Sequence, residues 1–280
     1  MSAGSDTAAA KSRELRLRIA SAVVLAPIVL GLTWYGGTPY AAMILVGAVL
    51  VLYEWVGITG RSKLPIVDWA GGAVVTAAMV ATYLARPDIA VVLVLAGALA
   101  ALLWSAVDRQ GRWLALGIAY AGFSGIGMLM LRGGDYGLVA IIFLFAVTWA
   151  TDIAAYFVGR AVGGPKLWPA VSPKKTWSGA IGGLTGGVIA GIATVLVAGF
   201  PVAVGLVLAT ALISASGQLG DLGESAIKRR FGKKDSSNLI PGHGGIMDRV
   251  DALVVGAAVA SVIGAARAGW NDPAAGLFIW

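Results

Sequence analysis

The sequence has no cysteine and a single histidine, His243. Disulfide frameworks, thiolate metal sites, cysteine nucleophiles, histidine-rich metal centres and multi-histidine proton relays are therefore excluded. Charge is scarce as well. Only 12% of the 280 residues are Asp, Glu, Lys or Arg, whereas soluble domains carry about twice that fraction. Long polar stretches are also missing: the longest, roughly 28 residues, is too short to bury a core of its own. No internal repeat of solenoid or propeller length is present. Carboxylates, lysines and hydroxyls are left to carry any chemistry.

In place of charge there is apolar bulk, with 58% hydrophobic residues and a mean hydropathy of +0.84, so the bilayer is the solvent. Runs able to cross about 30 Å of hydrocarbon are read near 18–36, 39–58, 67–85, 89–107, 113–131, 137–158, 179–199, 201–221 and 250–268. An all-α polytopic fold with nine transmembrane helices is predicted. Glycine dilutes the third and fifth runs, and only the turn at Phe200-Pro201 separates the seventh and eighth. Residues 1–16 carry Lys11, Arg13 and Arg16. The first run is too long for a signal peptide and lacks a convincing cleavage site, so it is expected to stay as a span.

Lysines and arginines test the count, because they collect on alternate, cytoplasmic connections. With the amino terminus inside, all of the 21 except Arg86, Arg132 and Arg267 fall on that side. A cytoplasmic amino terminus and an outside carboxyl terminus follow. The two largest basic connections, 159–178 and 222–249, both lie in the second half. Residues 1–136 accordingly read as scaffold helices, and 137–280 as the region where any chemistry is expected.

Carboxylates at membrane depth cost several kcal/mol and mark function. Asp152 shares a helical face with Tyr156 and Arg160; it is either functional or an interfacial aspartate paired with Arg160. Asp221, Glu224, Ser225 and Lys228 follow i, i+3, i+4, i+7 and occupy one face if the helix continues. That stripe suits a hard cation and phosphate oxygens, or else it is an amphipathic helix end with Glu224 and Lys228 as an ordinary ion pair.

Residues 233–251 read as neither helix nor strand. Pro241, Gly242, Gly244 and Gly245 let the backbone turn tightly and bring its N–H groups close to a ligand. Asp248 and Asp251 stand just before the ninth run. Asp221 and Asp248, brought together by folding, would hold Mg²⁺ while substrate phosphates complete its shell; the alternative is a plain polar loop, and His243 alone carries no assignment. In the other basic connection Ser172-Pro173 signals a turn. Thr176 or Ser178 is placed to cap the seventh span, whose N-terminus favours an anion, with Lys174 and Lys175 beside it. Anchoring on anionic headgroups is the competing reading for those lysines. Gly179, Gly183, Gly187 and Gly191, four apart, form a helix-packing stripe.

Taken together, Ser225-x-x-Lys228-Arg229, Lys234-Asp235 and Leu239-Ile-Pro-Gly-His-Gly-Gly-x-x-Asp248-Arg249-x-Asp251 resemble the signature of the phosphatidate cytidylyltransferase family. Asp152, Tyr156, Gly159-Arg160, Gly164, Lys166 and Ser172-Pro-Lys-Lys-Thr176 resemble that family in the same order. The resemblance runs from residue 140 to residue 270, and residues 1–130 share only hydropathy with it. It implies transfer of CMP from CTP to phosphatidic acid, giving CDP-diacylglycerol and pyrophosphate at the cytoplasmic face of the cell's inner membrane. It also implies a need for Mg²⁺, leaving open a second metal or a monovalent ion, and a homodimer. No nucleic acid partner is expected.

Carried over residue by residue, Asp221 and Asp248 resemble the metal-binding carboxylates, with Lys228 in the catalytic set. Ser172, Lys174, Lys175, Thr176, Ser225, Arg229, Lys234, His243 and Arg249 are implied substrate or phosphate contacts, and Asp152, Glu224 and Asp251 further site residues. Ser178 stands where a Glu is expected, so no role of that Glu transfers. The implied chemistry is in-line attack of the lipid phosphate on the α-phosphorus of CTP, limited by repulsion between polyanions rather than by lack of a base. Two rivals remain. One is a related isoprenoid-lipid cytidylyltransferase or kinase; the other is a cation-coupled transporter, which should hold polar residues at mid-bilayer in both halves.

Overall fold

The structure, a computed structural model, describes residues 3–280, with side chains from Arg16 onward; the side chains of Lys11 and Arg13 lie outside the described residues. Among the described residues nine helices are long and apolar enough to cross a membrane. They are α1 (Ala3–Tyr35), α2 (Gly37–Thr59), α3 (Pro65–Tyr83), α4 (Pro87–Trp104), α5 (Gly111–Arg132), α6 (Gly137–Val162), α7 (Trp177–Val197), α8 (Val204–Arg230) and α9 (Met247–Ala268). A short α10 (Pro273–Phe278) follows. The expected spans and the break at Phe200-Pro201 are all present.

Two boundaries differ from expectation. The 159–178 connection is not wholly irregular: β1 (Lys166–Trp168) and β2 (Ser172–Thr176) pair antiparallel, with Lys166 opposite Thr176. The Ser172-Pro173 pair therefore opens a strand instead of making a turn. The 222–249 connection is shorter, because α8 continues through the helix-forming Glu-Ser-Ala-Ile-Lys-Arg-Arg run to Arg230. It stops at Gly232, φ +68°, where Gly232 N donates to Arg229 O and Lys233 N to Lys228 O at 2.8 Å, the paired bonds of a Schellman end. Since α9 opens at Met247, Asp248 and Asp251 lie in its first turns rather than in a loop.

The core has two lobes. One gathers Val51, Leu52, Trp55, Val75, Met79, Val94, Leu114 and Ile118 from α2 to α5. The other gathers Phe143, Leu144, Val147, Val195, Leu206, Ile213 and Phe278 from α6 to α10. Helix α5 contributes to both, and 72% of its span is buried against 6% of α1. The glycines that dilute its hydropathy sit where neighbours press in. A Cβ on Gly127 would lie 2.8 Å from the Ala257 carbonyl of α9, and one on Gly125 would overlap Met79. In α7 the glycine stripe faces α6, as Gly183 would place a Cβ 2.8 Å from Thr151 O.

At one end of the bundle the α2–α3 and α4–α5 connections are tied by Asp108, whose Oδ2 accepts from Lys63 N at 2.7 Å and whose Oδ1 accepts from Gln110 N at 3.1 Å. Those two amides hold the Asp108 carboxyl below the usual carboxylate range. At the same end Trp113 of α5 meets the Phe231 ring edge-on at 5.0 Å and carries Arg230 over its face at 5.3 Å. The segment after α8 is thereby docked on the first half of the chain.

Candidate active site

A cavity of about 500 Å³ opens between α6, the hairpin, α7 and α8. Asp152, Tyr156 and Arg160 come to it from α6, Lys166 from β1, Lys174, Lys175 and Thr176 from β2, and Gln218 and Asp221 from α8. The hairpin is what brings the lysines here, since its short strands hold Lys166 and Lys174-Lys175 on one rim. Thr176 ends β2 and caps α7, accepting from Gly179 N at 3.1 Å. Ser178, the position expected to be Glu, instead donates to Gly163 O and ties the end of α6 to the start of α7. The cavity thus offers four cationic side chains, one helix N-terminus and two carboxylates, a set that suits phosphate groups together with a cation.

Asp221 is paired with Lys175, and Ser225 Oγ lies 3.5 Å from its other oxygen. Asp152 is exposed to the cavity. Arg160 donates to Tyr156 Oη at 3.0 Å, and no ion pair joins it to Asp152 among the described residues, so the interfacial-pair reading of Asp152 falls. Asp152, Asp221 and Asp251 are near enough to repel one another, while Lys175 attracts Asp152.

Beside the cavity lies a second, buried cluster. Lys228 Nζ is 2.5 Å from Asp248 Oδ1 and 2.8 Å from Glu224 Oε1, with Glu224 fully buried. Lys228 is the one partner of the Glu224 carboxylate among the described residues. Asp248 is firmly held: Oδ1 accepts from Lys228, and Oδ2 accepts from Ser236 N at 2.8 Å and Gly245 N at 2.9 Å with Ser236 Oγ also 2.8 Å away. The expectation that Glu224, Ser225 and Lys228 share the Asp221 face is met by the helix, but Lys228 bridges Glu224 to α9 instead of making a simple pair within α8.

Glu54 of α2 was passed over by the sequence reading, which treated the first half as scaffold. It is fully buried, and its carboxylate receives Ser236 Oγ, Ser237 Oγ, Ile246 N and Met247 N. The signal that singled out Asp152, a carboxylate inside an apolar run, applies equally to Leu52-Tyr53-Glu54-Trp55.

The remaining expected residues are outside the cavity wall. Ser172 is half-buried at the start of β2. Arg229 donates to Lys233 O at 3.1 Å, and Arg229, Lys234 and Arg249 are exposed. His243 sits after a Pro241-Gly242 corner closed by His243 N to Ile240 O at 2.9 Å, with Gly242 at φ +76° as a type II turn requires. Its Nδ1 lies 2.7 Å from Ser21 Oγ of α1, and Arg18 donates to Gly242 O at 2.9 Å. Burial, with Arg249 and Arg18 nearby, pushes the His243 imidazole below its ordinary value.

The sequence model of the cytidylyltransferase family matches residues 16–266. The chain belongs to that family. Relatives agree: the phosphatidate cytidylyltransferase of Brucella suis biovar 1 is 41% identical over 265 residues, covering 94% of this chain and 98% of that one. That of Bacillus subtilis is 43% identical over 149 residues, 52% of this chain and 55% of its own. That of Staphylococcus saprophyticus is 45% identical over 141 residues, 50% and 53%. In a cytidylyltransferase the substrate carries phosphates, and the lysine-rimmed cavity is where this chain concentrates cationic groups against carboxylates.

A hard cation fits here in one mode. Among the described residues no three carboxylate or histidine side chains converge into a metal cage. Mg²⁺ asks for less, since one or two carboxylates plus substrate phosphates and waters suffice. Asp221 fits that role, with Asp152 and Asp251 adding negative charge around it. Asp248 keeps Oδ1 with Lys228 as its one partner, as Asp221 keeps Oδ2 with Lys175, so each offers an oxygen to a cation where its lysine turns toward substrate phosphate.

Proposed function

We propose that this chain transfers CMP from CTP to phosphatidic acid, giving CDP-diacylglycerol and pyrophosphate at the cytoplasmic face of the cell membrane. The observation that carries the reading is the cavity in which Arg160, Lys166, Lys174 and Lys175 face Asp152 and Asp221, within a chain that aligns over most of its length with a phosphatidate cytidylyltransferase. The membrane side follows from charge, because the lysine-rich hairpin and the 231–246 segment belong to the positive-inside set.

In the proposed reaction the cationic rim collects the triphosphate and the lipid phosphate, and the amides opening α7 add a fixed partial positive charge. The lipid phosphate oxygen forms a bond to the α-phosphorus as the bond to pyrophosphate breaks. The attacking monoester is already ionised, so no side chain has to remove a proton. What the protein supplies is alignment and relief of repulsion. Lys175 orients the Asp221 carboxylate, and Lys228 fixes Asp248 and Glu224 between α8 and α9. Mg²⁺, held by Asp221 together with substrate oxygens, supplies further charge neutralisation when bound. Asp248 joins that set only if Lys228 turns its ammonium toward substrate phosphate.

The transporter reading asks for polar residues at mid-bilayer in both halves. The buried carboxylate of the first half, Glu54, is not such a residue: it stands near the Thr59 end of α2, and its hydrogen bonds all go to the 236–247 segment, which leaves no oxygen for a path. The test is turnover by purified protein with CTP, Mg²⁺ and either phosphatidic acid or a phosphorylated isoprenoid, followed as lipid-linked CMP and pyrophosphate. Product with phosphatidic acid alone supports the reading; product only with the isoprenoid selects the rival enzyme.

A further inference from the structure

Helix α9 begins without a cap of its own, because its N-cap position, Ile246, has no side-chain acceptor. The first amides are instead satisfied from another helix in the other half of the chain. Glu54 Oε1 accepts from Ile246 N at 2.9 Å and Oε2 from Met247 N at 2.7 Å. The same two oxygens accept from Ser237 Oγ at 2.6 Å and Ser236 Oγ at 3.0 Å. One carboxylate therefore grips both ends of the 236–247 segment, where the signature-like Pro-Gly-His-Gly-Gly turn lies. Gly245 permits this approach, since a Cβ there would stand 2.5 Å from both Glu54 oxygens.

The grip reaches the charged cluster through one residue. Ser236 Oγ lies between Glu54 Oε2 at 3.0 Å and Asp248 Oδ2 at 2.8 Å, its single proton serving one carboxylate or the other, and its backbone N–H donates to Asp248 Oδ2. Asp248 in turn holds Lys228. A buried carboxylate without donors is strongly unfavourable, so Glu54 and the segment stabilise each other: loosening the segment strips Glu54 of its partners, and neutralising Glu54 releases the segment. Glu54 lines no part of the lysine-rimmed cavity and acts only through these neighbours.

We propose that Glu54 is a positioning residue for the cytidylyl transfer, a carboxylate of α2 that caps α9 in trans and sets the Ser236–Asp248–Lys228 arrangement beside the active cavity. The proposal rests on the reaction assigned above. Glutamine at this position keeps the shape but offers one acceptor oxygen where four donors converge, and its amide group confronts N–H and O–H groups with further donors. Aspartate keeps the charge and both acceptor oxygens on a shorter stem.

The experiment compares the full-length wild type with Glu54→Gln and Glu54→Asp in detergent, by kcat and KM for CTP per folded molecule and by the rate of trypsin cleavage at the exposed Lys233-Lys234 pair without substrate. Expected for Glu54→Gln are a kcat loss on the order of 10²-fold, a KM for CTP within a few-fold of wild type, and faster cleavage, with Glu54→Asp recovering most of both. Wild-type kcat in Glu54→Gln, or a cleavage rate that does not change, overturns the proposal, as does Asp behaving no better than Gln. If Glu54→Gln does not fold, Ser237→Ala removes one of the four donors; it should speed cleavage several-fold, and no change there counts against the proposal. A wild-type chain inactive toward CTP and phosphatidic acid would fault the reaction assignment, while the cleavage rates would still decide the role of Glu54.

Discussion

Replacing Lys228 by methionine removes a charge that two buried carboxylates share. Lys228 Nζ lies 2.8 Å from Glu224 Oε1 and 2.5 Å from Asp248 Oδ1, and the three side chains are 11%, 0% and 6% exposed. Methionine keeps most of the stem, so the change isolates the ammonium. Asp248 would retain the Ser236 and Gly245 amides on Oδ2, but Glu224, whose one partner among the described residues is Lys228, would be left buried with no counter-charge. Breaking a buried pair from one side costs about 3–5 kcal/mol. For a chain of this size that corresponds to a drop on the order of 10 °C in the unfolding midpoint, read by tryptophan fluorescence in detergent. Adding Glu224→Gln in the same chain removes the stranded charge and should return roughly 1–3 kcal/mol, the coupling expected of residues in contact. A Lys228→Met protein that melts at the wild-type temperature, or a double variant no more stable than the single one, would refute this reasoning.

Further outcomes follow from the same geometry. Thr176→Ala should lose about 1 kcal/mol of stability by uncapping α7 while Thr176→Ser does not, as thermal unfolding will show. Gly187→Val should sharply reduce the yield of folded protein on gel filtration, because a Cβ there would collide with Thr151 Oγ1 and meet Ser214 Oγ at 2.9 Å, whereas Gly223→Ala, with open space around it, should be tolerated. The depressed pKa of His243 means that the folded state favours the neutral imidazole. Its contribution is full above the ordinary value near 6.5 and is lost as pH falls through the lower folded value, so His243→Gln should flatten the pH dependence of the unfolding midpoint in that acid range. Lys175→Met should raise KM for CTP more than about tenfold by removing a rim charge and freeing Asp221.

The nine spans were legible because bilayer thickness imposes a length and an apolar composition that a sequence displays directly. Glycine misleads that measure at α5, where Gly117, Gly122, Gly125 and Gly127 lower hydropathy yet let the most buried helix pack. The hairpin was not legible, since strands of three and five residues are too short to show an alternating pattern. The acidic and basic residues of the second half were recognisable by type and spacing, and Asp152, Lys174, Lys175, Thr176 and Asp221 do meet in one cavity. Their partners were not recognisable. Whether Asp248 faces Asp221 or Lys228 depends on how α9 is rotated against α8, and a sequence does not carry that angle. Glu54 was missed because its significance lies in four donors supplied by residues about 180 to 190 positions away.

The most direct test of the central claim compares purified wild type, Asp221→Asn and Lys175→Met with CTP, phosphatidic acid and Mg²⁺, counting lipid-linked CMP against pyrophosphate. The account predicts equimolar products from wild type, loss of nearly all turnover in Asp221→Asn with the unfolding midpoint preserved, and a raised KM for CTP in Lys175→Met. Full turnover by a folded Asp221→Asn protein would contradict the assignment of the lysine-rimmed cavity as the active site.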